Sequence, residues 1–406
     1  MHLTEVPLLL MLAGLTAYVV FGGADFGAGL WQLTGGGGER GRAIREHAHH
    51  SMGPVWEANH VWLIFVLVVC WTAYPTAFGS IASTLAVPLF VAGIGIILRG
   101  TAYALRSGTA TPREQRIVEV TFAISSILTP FALGAVVGAI ASGRVPVGNA
   151  AGDLATSWLN PTSALVGTLT VATGAYLAAV YLAADAARAG HAELVRAFRA
   201  RALGTGVVAG AVAFVGLPIV RHDARPIWDG LTSGAGLAAV LVSAAAGCAT
   251  LALVWRARFE AARATAALAV AAIVAGWALA QRPQFLPGLS IDEAAADRGT
   301  LVAVVVSIAI GAVVLVPSFA LLYGLVLRGR FDAAPALPPG GGPGRELVPR
   351  DRGLVVTAVA FLAVGLVLML GFETSWARIL GVASLLTFIA TAFIAVAASA
   401  AATDDA

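Results

Sequence analysis

Lysine is absent from this chain: all 25 basic residues are arginines, set against 22 acidic residues in a length of 406. Charge of either sign is scarce, at 12% of the sequence, where a soluble domain carries about 25%. A surface so poor in charge would aggregate in water, which excludes the soluble globular class. Cysteine is nearly missing too, and Cys70 and Cys248 both lie within apolar stretches. With no C-x-x-C, no C-x-x-C-H and no zinc-ligand spacing, a disulfide scaffold, covalently attached haem and iron–sulfur clusters are not expected. The net charge of +3 is spread over short loops and not gathered in one patch. That excludes a nucleic-acid interface and leaves the arginines as topology signals and contacts for anionic lipid heads. The start, Met-His-Leu-Thr-Glu, lacks the basic region of a cleaved signal, so the first apolar stretch is expected to remain as a helix.

What the chain has instead is hydrophobicity: 59% apolar residues and a mean hydropathy of +0.86. Eleven stretches reach the length of about 20 residues that a membrane helix needs. They lie near 7–33, 54–77, 79–104, 116–141, 160–186, 201–221, 231–256, 262–281, 299–327, 353–371 and 379–400. The second and third are joined almost without a loop at Pro75–Ser80, and Asn160–Pro161 is a start signal for the fifth. The stretch 331–352 is too rich in Pro and Gly to hold a helix. The expected fold is therefore an all-α polytopic membrane protein. Its body of nine helices covers 1–330, a Pro/Gly-rich cytoplasmic linker covers 331–352, and a two-helix C-terminal hairpin lies in 353–406.

Arginine placement orients the spans. Loops after odd-numbered helices hold Arg40, Arg42, Arg45, Arg106, Arg113, Arg116, Arg188, Arg196, Arg199, Arg201, Arg256, Arg258, Arg263 and the linker arginines. Loops after even-numbered helices hold Arg144, Arg221, Arg225, Arg282 and Arg298. The positive-inside rule puts the richer set in the cytoplasm. This predicts an N-terminus outside, a C-terminus inside and a bacterial inner-membrane location.

Ionisable groups within spans cost about 2.5–3.5 kcal/mol each at a helix centre, so each one carries information. Asp25 sits in the run Gly22-Gly23-Ala24-Asp25-Phe26-Gly27-Ala28-Gly29. It is either a proton- or ion-binding carboxylate or half of a buried salt bridge, and Gly23 and Gly27 form a small-xxx-small pair for close helix approach. Glu57 lies one turn into the second helix, in Pro54-Val55-Trp56-Glu57-Ala58-Asn59-His60-Val61-Trp62. Glu57 and His60 are three residues apart and share a helix face, a spacing that can pass a proton. The plainer reading is an interfacial anchor in which Glu57 complements the helix dipole. Arg99, near the inner end of the third helix, either pairs with Asp25 or Glu57 or snorkels to the interface. Glu119 and Asp185 read as interfacial. His60 is the one histidine within a span, and the His47, His49 and His50 cluster reads as a solvated loop. With so few axial-ligand candidates, the chain is expected to bind no haem or metal of its own. The tryptophans, Trp56 and Trp62 among them, read as interface anchors and packing.

These two helices resemble those of cytochrome bd quinol oxidase subunit II. The family's helix 1 carries a run like D-G-F-D-x-G-x-G, whose second half Asp25, Gly27 and Gly29 fit. Its helix 2 opens like P-x-W-D/E-x-N-x-V-W-L-I, matched here by Pro54, Trp56, Glu57, Asn59, Val61, Trp62, Leu63 and Ile64. The likeness continues at Tyr74-Pro75 and Arg99, and returns at Val316-Pro317 and Arg328-Gly329-Arg330. The resemblance implies two four-helix bundles plus a peripheral helix, paired with a homologous haem-bearing subunit I. That partner would carry haem d and haems b. The complex would oxidise quinol and reduce dioxygen without pumping. Subunit II carboxylates would line a cytoplasmic proton route, with Asp25 and Glu57 at the matching positions and His60, Asn59 and Arg99 beside them. Two features depart from the pattern: Gly22 replaces the family's first helix 1 aspartate, and the hairpin extends past the usual end. A secondary transporter or ion channel using Asp25 and Glu57 as a coupling-ion site remains the alternative, with a purely structural assembly subunit as a third.

Overall fold

The computed structural model describes residues 2–52, 56–105, 111–327 and 352–371, with part of the stretch 374–391; among these, the side chains of Trp56 and Glu57 are outside the description. Two compact units divide the chain, Met1–Ala334 and Pro335–Ala406.

The larger unit begins with a first span built from α1 (Val6–Ala17), a π-helical turn (Tyr18–Gly22) and α2 (Gly23–Leu33). Then follow α3 (Gly38–Met52), α4 (Trp56–Ala73), α5 (Pro75–Thr84), α6 (Ala86–Leu105), α7 (Pro112–Ala141), α8 (Pro161–Arg188), α9 (Ala192–Asp223), α10 (Arg225–Leu231), α11 (Gly234–Trp255) and α12 (Phe259–Gln281). A short antiparallel hairpin, β1 (Gln284–Leu286) and β2 (Leu289–Ser290), pairs Leu286 with Leu289 and leads through α13 (Ile291–Ala294) to α14 (Arg298–Leu327). In the smaller unit, α15 (Arg352–Gly371) takes a hydrogen bond at its Phe361 carbonyl from Ser384 Oγ, 2.8 Å away. Much of the expected last span, 379–400, lies outside the described residues.

Among the described residues, eight helices are long and apolar enough to cross a membrane. Two shorter apolar helices, Asn59–Ala73 and Val356–Leu368, stand where the second and tenth spans are expected. The protein is thus an all-α, multi-pass membrane protein. Its helices start where local chemistry satisfies their free N–H groups. Thr111 Oγ1 accepts from Glu114 N, and Glu114 Oε2 accepts from Thr111 N, both at 3.2 Å, with Pro112 at the first helical position. Asn160 Oδ1 accepts from Ser163 N at 2.9 Å, and Pro161 follows it.

Two local differences from the sequence reading have physical causes. The stretch 79–104 is not one helix: it breaks at Leu85, where Pro88 in the first turn of α6 has no N–H to continue the ladder from α5. The histidine cluster is not a solvated loop. It lies on α3, where Ile44 and Ala48, one turn apart, are buried, and His47 Nε2 donates to the Leu182 carbonyl at 3.0 Å.

α8 is the central element and packs on α2, α7, α9 and α12. Its middle, Leu177 to Ala184, holds mostly fully buried small and branched residues. In lipid no hydrophobic drive pulls helices together, so close backbone packing supplies the association. At the α2–α8 crossing, a Cβ on Gly27 would stand 2.0 Å from the Gly174 carbonyl oxygen, and one on Gly174 would stand 2.8 Å from that of Gly23. The helices touch there backbone to backbone. Polar ties sort the loops by end. Tyr74 Oη donates to the Thr4 carbonyl at 2.5 Å, Ala296 N to the Ala73 carbonyl at 2.8 Å, and Arg144 pairs with Asp223. At the other end Arg263 pairs with Asp185 at 2.9 Å. Loops after even-numbered spans thus share one end, and the arginine-rich loops share the other.

Candidate functional site

Asp25 lies in the first turn of α2 and Arg99 near the end of α6, and both are 1% exposed. Arg99 Nη2 donates to Asp25 Oδ1 at 2.7 Å and to the Asp25 carbonyl at 3.0 Å. Its other terminal nitrogen, Nη1, donates to Ser126 Oγ on α7, which in turn donates to the Phe122 carbonyl at 2.5 Å. The guanidinium carbon stands 4.2 Å from the centre of the Phe122 ring and 4.9 Å from that of Phe26. Two aromatic faces therefore replace part of the hydration the cation has lost. Gly29 leaves the space: a Cβ there would meet Ser126 Oγ at 2.1 Å and Arg99 Nη1 at 2.9 Å. Of the two fates open to Arg99, the structure shows the buried pair.

A buried ion pair survives only if its remaining polar atoms are satisfied. Asp25 Oδ2 is buried and accepts no hydrogen bond among the described residues; Arg99 Nε, a donor, and Tyr18 Oη, Thr129 Oγ1 and Asn59 Oδ1 are likewise buried without a hydrogen-bond partner there. Buried polar atoms without partners call for ordered water or a further polar group. Asn59, fully buried on α4, donates through Nδ2 to the Phe21 carbonyl in the π-helical turn at 3.3 Å. His60 stacks on Phe26, ring centres 6.0 Å apart, and meets Tyr18 edge-on at 6.3 Å. Phe26 thus contacts both His60 and the Arg99 guanidinium. Trp62 stacks on Phe319 of α14 at 5.4 Å. Gly23 and Gly27 lie at the α2–α8 crossing. Trp56 and Glu57 fall in the first turn of α4, with side chains outside the described residues.

The structure therefore brings Asp25, Arg99, Asn59 and His60 into one neighbourhood. The sequence reading missed Ser126, Phe122 and Tyr18. The Ser125–Ser126 pair, two hydroxyls in the middle of an apolar span, was the available signal. Tyr18, Gly23 and Phe26 also line an apolar cavity of about 550 Å³ between α1, α4, α7 and α12. A cavity with so few polar groups holds water poorly.

Residues 3–326 match the family described as cytochrome bd terminal oxidase subunit II. The chain belongs to this family. One relative of this subunit II is "Cytochrome bd ubiquinol oxidase subunit 2" of Bacillus subtilis (strain 168), 26% identical over 112 residues, covering 28% of this chain and 32% of that protein. The chain thus spans about a third of that relative's length in the match. Among solved structures, a chain of "The structure of bd oxidase from Geobacillus thermodenitrificans" superposes with a TM-score of 0.63 at 23% identity, covering 80% of this chain and 99% of that one. At that identity the likeness speaks for the fold.

Proposed function

We propose that this subunit II is the non-haem subunit of a bd-type quinol:dioxygen oxidoreductase, bracing a haem-bearing subunit I and conducting cytoplasmic protons toward the oxygen-reducing site. The observation that carries the proposal is Asp25: one oxygen is committed to Arg99, and the other is buried, without a hydrogen bond among the described residues. Oδ2 is then the atom free to take and release a proton, while Arg99 holds the carboxylate in place. Protons enter near Glu57, at the first turn of α4, pass the polar groups around Asn59 and His60, and reach Asp25. The orientation drawn from arginine placement, N-terminus outside and C-terminus cytoplasmic, puts this route at the side where uptake begins. Haem d and haems b of the partner subunit supply electron transfer and oxygen chemistry; this chain's residues hold and move protons. A coupling-ion site is the weaker reading, because Arg99 already supplies the counter-charge that a bound cation would bring.

The test is oxygen consumption by the purified complex carrying Glu57→Gln. Turnover should fall roughly 10²-fold or more, the scale of losing a positioned proton carrier, with the haem absorption spectrum unchanged. Normal turnover would defeat the proposal. A chain that moves ions alone in liposomes would favour the coupling-ion reading.

A further inference from the structure

A second, much smaller cavity, of about 10 Å³, lies toward the arginine-rich end. Among the described residues its wall includes Gln32 of α2, His49 of α3, Ala102 and Tyr103 of α6, and Glu119 and Phe122 of α7. That volume is about what one water needs, and unlike the large cavity its lining residues carry an amide, an imidazole, a phenol and a carboxylate. Helical spacing puts them there. Gln32 follows Asp25 by seven residues on α2, Tyr103 follows Arg99 by four on α6, and Glu119 precedes Ser126 by seven on α7. Residues so spaced share a helix face. Three helices that each give one polar group to the ion-pair site thus each give another, one to two turns (up to about 10 Å) nearer the arginine-rich end.

Phe122 joins this cavity to the site. It belongs to the cavity wall, the Arg99 guanidinium carbon stands 4.2 Å from its ring centre, and its carbonyl accepts from Ser126 Oγ at 2.5 Å. Gln32 is buried, Glu119 is half-buried, and the His49 ring meets that of Tyr103 with centres 5.3 Å apart. Asp185, the other acid expected at the interface, is committed to Arg188 and Arg263. Glu119 forms no ion pair among the described residues, which leaves its carboxylate available for proton exchange at the mouth of the cavity.

We infer that this cavity is a second, slower cytoplasmic entry for protons, with Glu119 as its outermost carrier; the inference rests on the proton-conducting role proposed above. Glu119 takes a proton from the cytoplasm and gives it up to water in the cavity, and Asp25 Oδ2 accepts it by way of the Ser126 hydroxyl. The entry is slow because it reaches the pair beside Phe122, on which the guanidinium lies, and the positive charge of Arg99 opposes an arriving proton. The test measures oxygen consumption by the purified complex, with the haem absorption spectrum as the check on assembly. If Glu57→Gln leaves about 1% of turnover, the second entry carries about that share, so Glu119→Gln alone should leave native turnover unchanged. In the Glu57→Gln background it should lower the remainder about tenfold. Ala102→Val, which fills the cavity and keeps every polar group, should also lower the remainder, whereas Glu193→Gln, exposed at the same end, should not. A structural defect would instead cut turnover by the same factor in both backgrounds, and that result would overturn the inference. An unchanged remainder in the double variant would overturn it alone. Normal turnover in Glu57→Gln would defeat the main route and this one with it.

Discussion

Replacing Arg99 by Met while Asp25 stays leaves a lone carboxylate in the middle of the bundle. Both groups are about 1% exposed and 2.7 Å apart, so neither can relax into water. Two unit charges about 4 Å apart at an effective dielectric near 20 attract by about 4 kcal/mol, and removing one partner of a buried pair costs about 3–5 kcal/mol. Asp25→Asn should cost a similar amount by stranding the guanidinium. The double variant should cost much less than the two singles together, because no uncompensated charge remains. A coupling of about 3 kcal/mol is therefore expected from the cycle. Some loss persists in the double variant, since Arg99 also bonds Ser126 and lies over Phe122 and Phe26. The measurement is equilibrium unfolding of the purified complex in mixed micelles, followed by circular dichroism. Additive single effects, with coupling under about 0.5 kcal/mol, would refute the claim that the pair is buried and interdependent.

Two further outcomes follow from the packing. Gly27→Ala forces a Cβ to within 2.0 Å of the Gly174 carbonyl and should cost about 1–3 kcal/mol or prevent assembly, whereas Gly93→Ala, with open space around it, should be neutral or stabilising by up to about 1 kcal/mol; the amount of assembled complex in membranes distinguishes them. Asp223→Asn weakens the pair with Arg144, and Asp223 Oδ2 also accepts from Thr162 N at 3.2 Å and Thr162 Oγ1 at 2.6 Å. Because this cluster is partly exposed, the loss should stay near 1 kcal/mol, well below that of Asp25→Asn in the same unfolding assay.

The sequence made the class, the spans and the main charged partners legible because membrane helices must hide every backbone polar group, and that demand writes long apolar runs. Asp25 and Arg99 stood out because so few charges interrupt those runs. Other features depended on geometry that one-dimensional patterns do not carry. Ser126 is an ordinary hydroxyl until Gly29 opens the gap that brings Arg99 to it. α3 looked like a loop because its polar surface and flanking glycines outweighed Ile44 and Ala48, whose one-turn spacing was the only sign of a buried face. The break at Leu85 was hidden by hydrophobicity that runs unbroken across it, with Pro88 as its sole marker.

The π-helical turn at Tyr18–Gly22 has a consequence for how this chain can change over time. One residue added to a helical ladder swings everything beyond it by about 100°. A deletion within that turn would therefore act less as a shortening than as a twist of the wrist: Asp25 would leave Arg99, and Gly27 would leave Gly174, together. Length in the first span is thus coupled to facing, and among descendants of this sequence a missing residue there should come with a new partner for the displaced carboxylate.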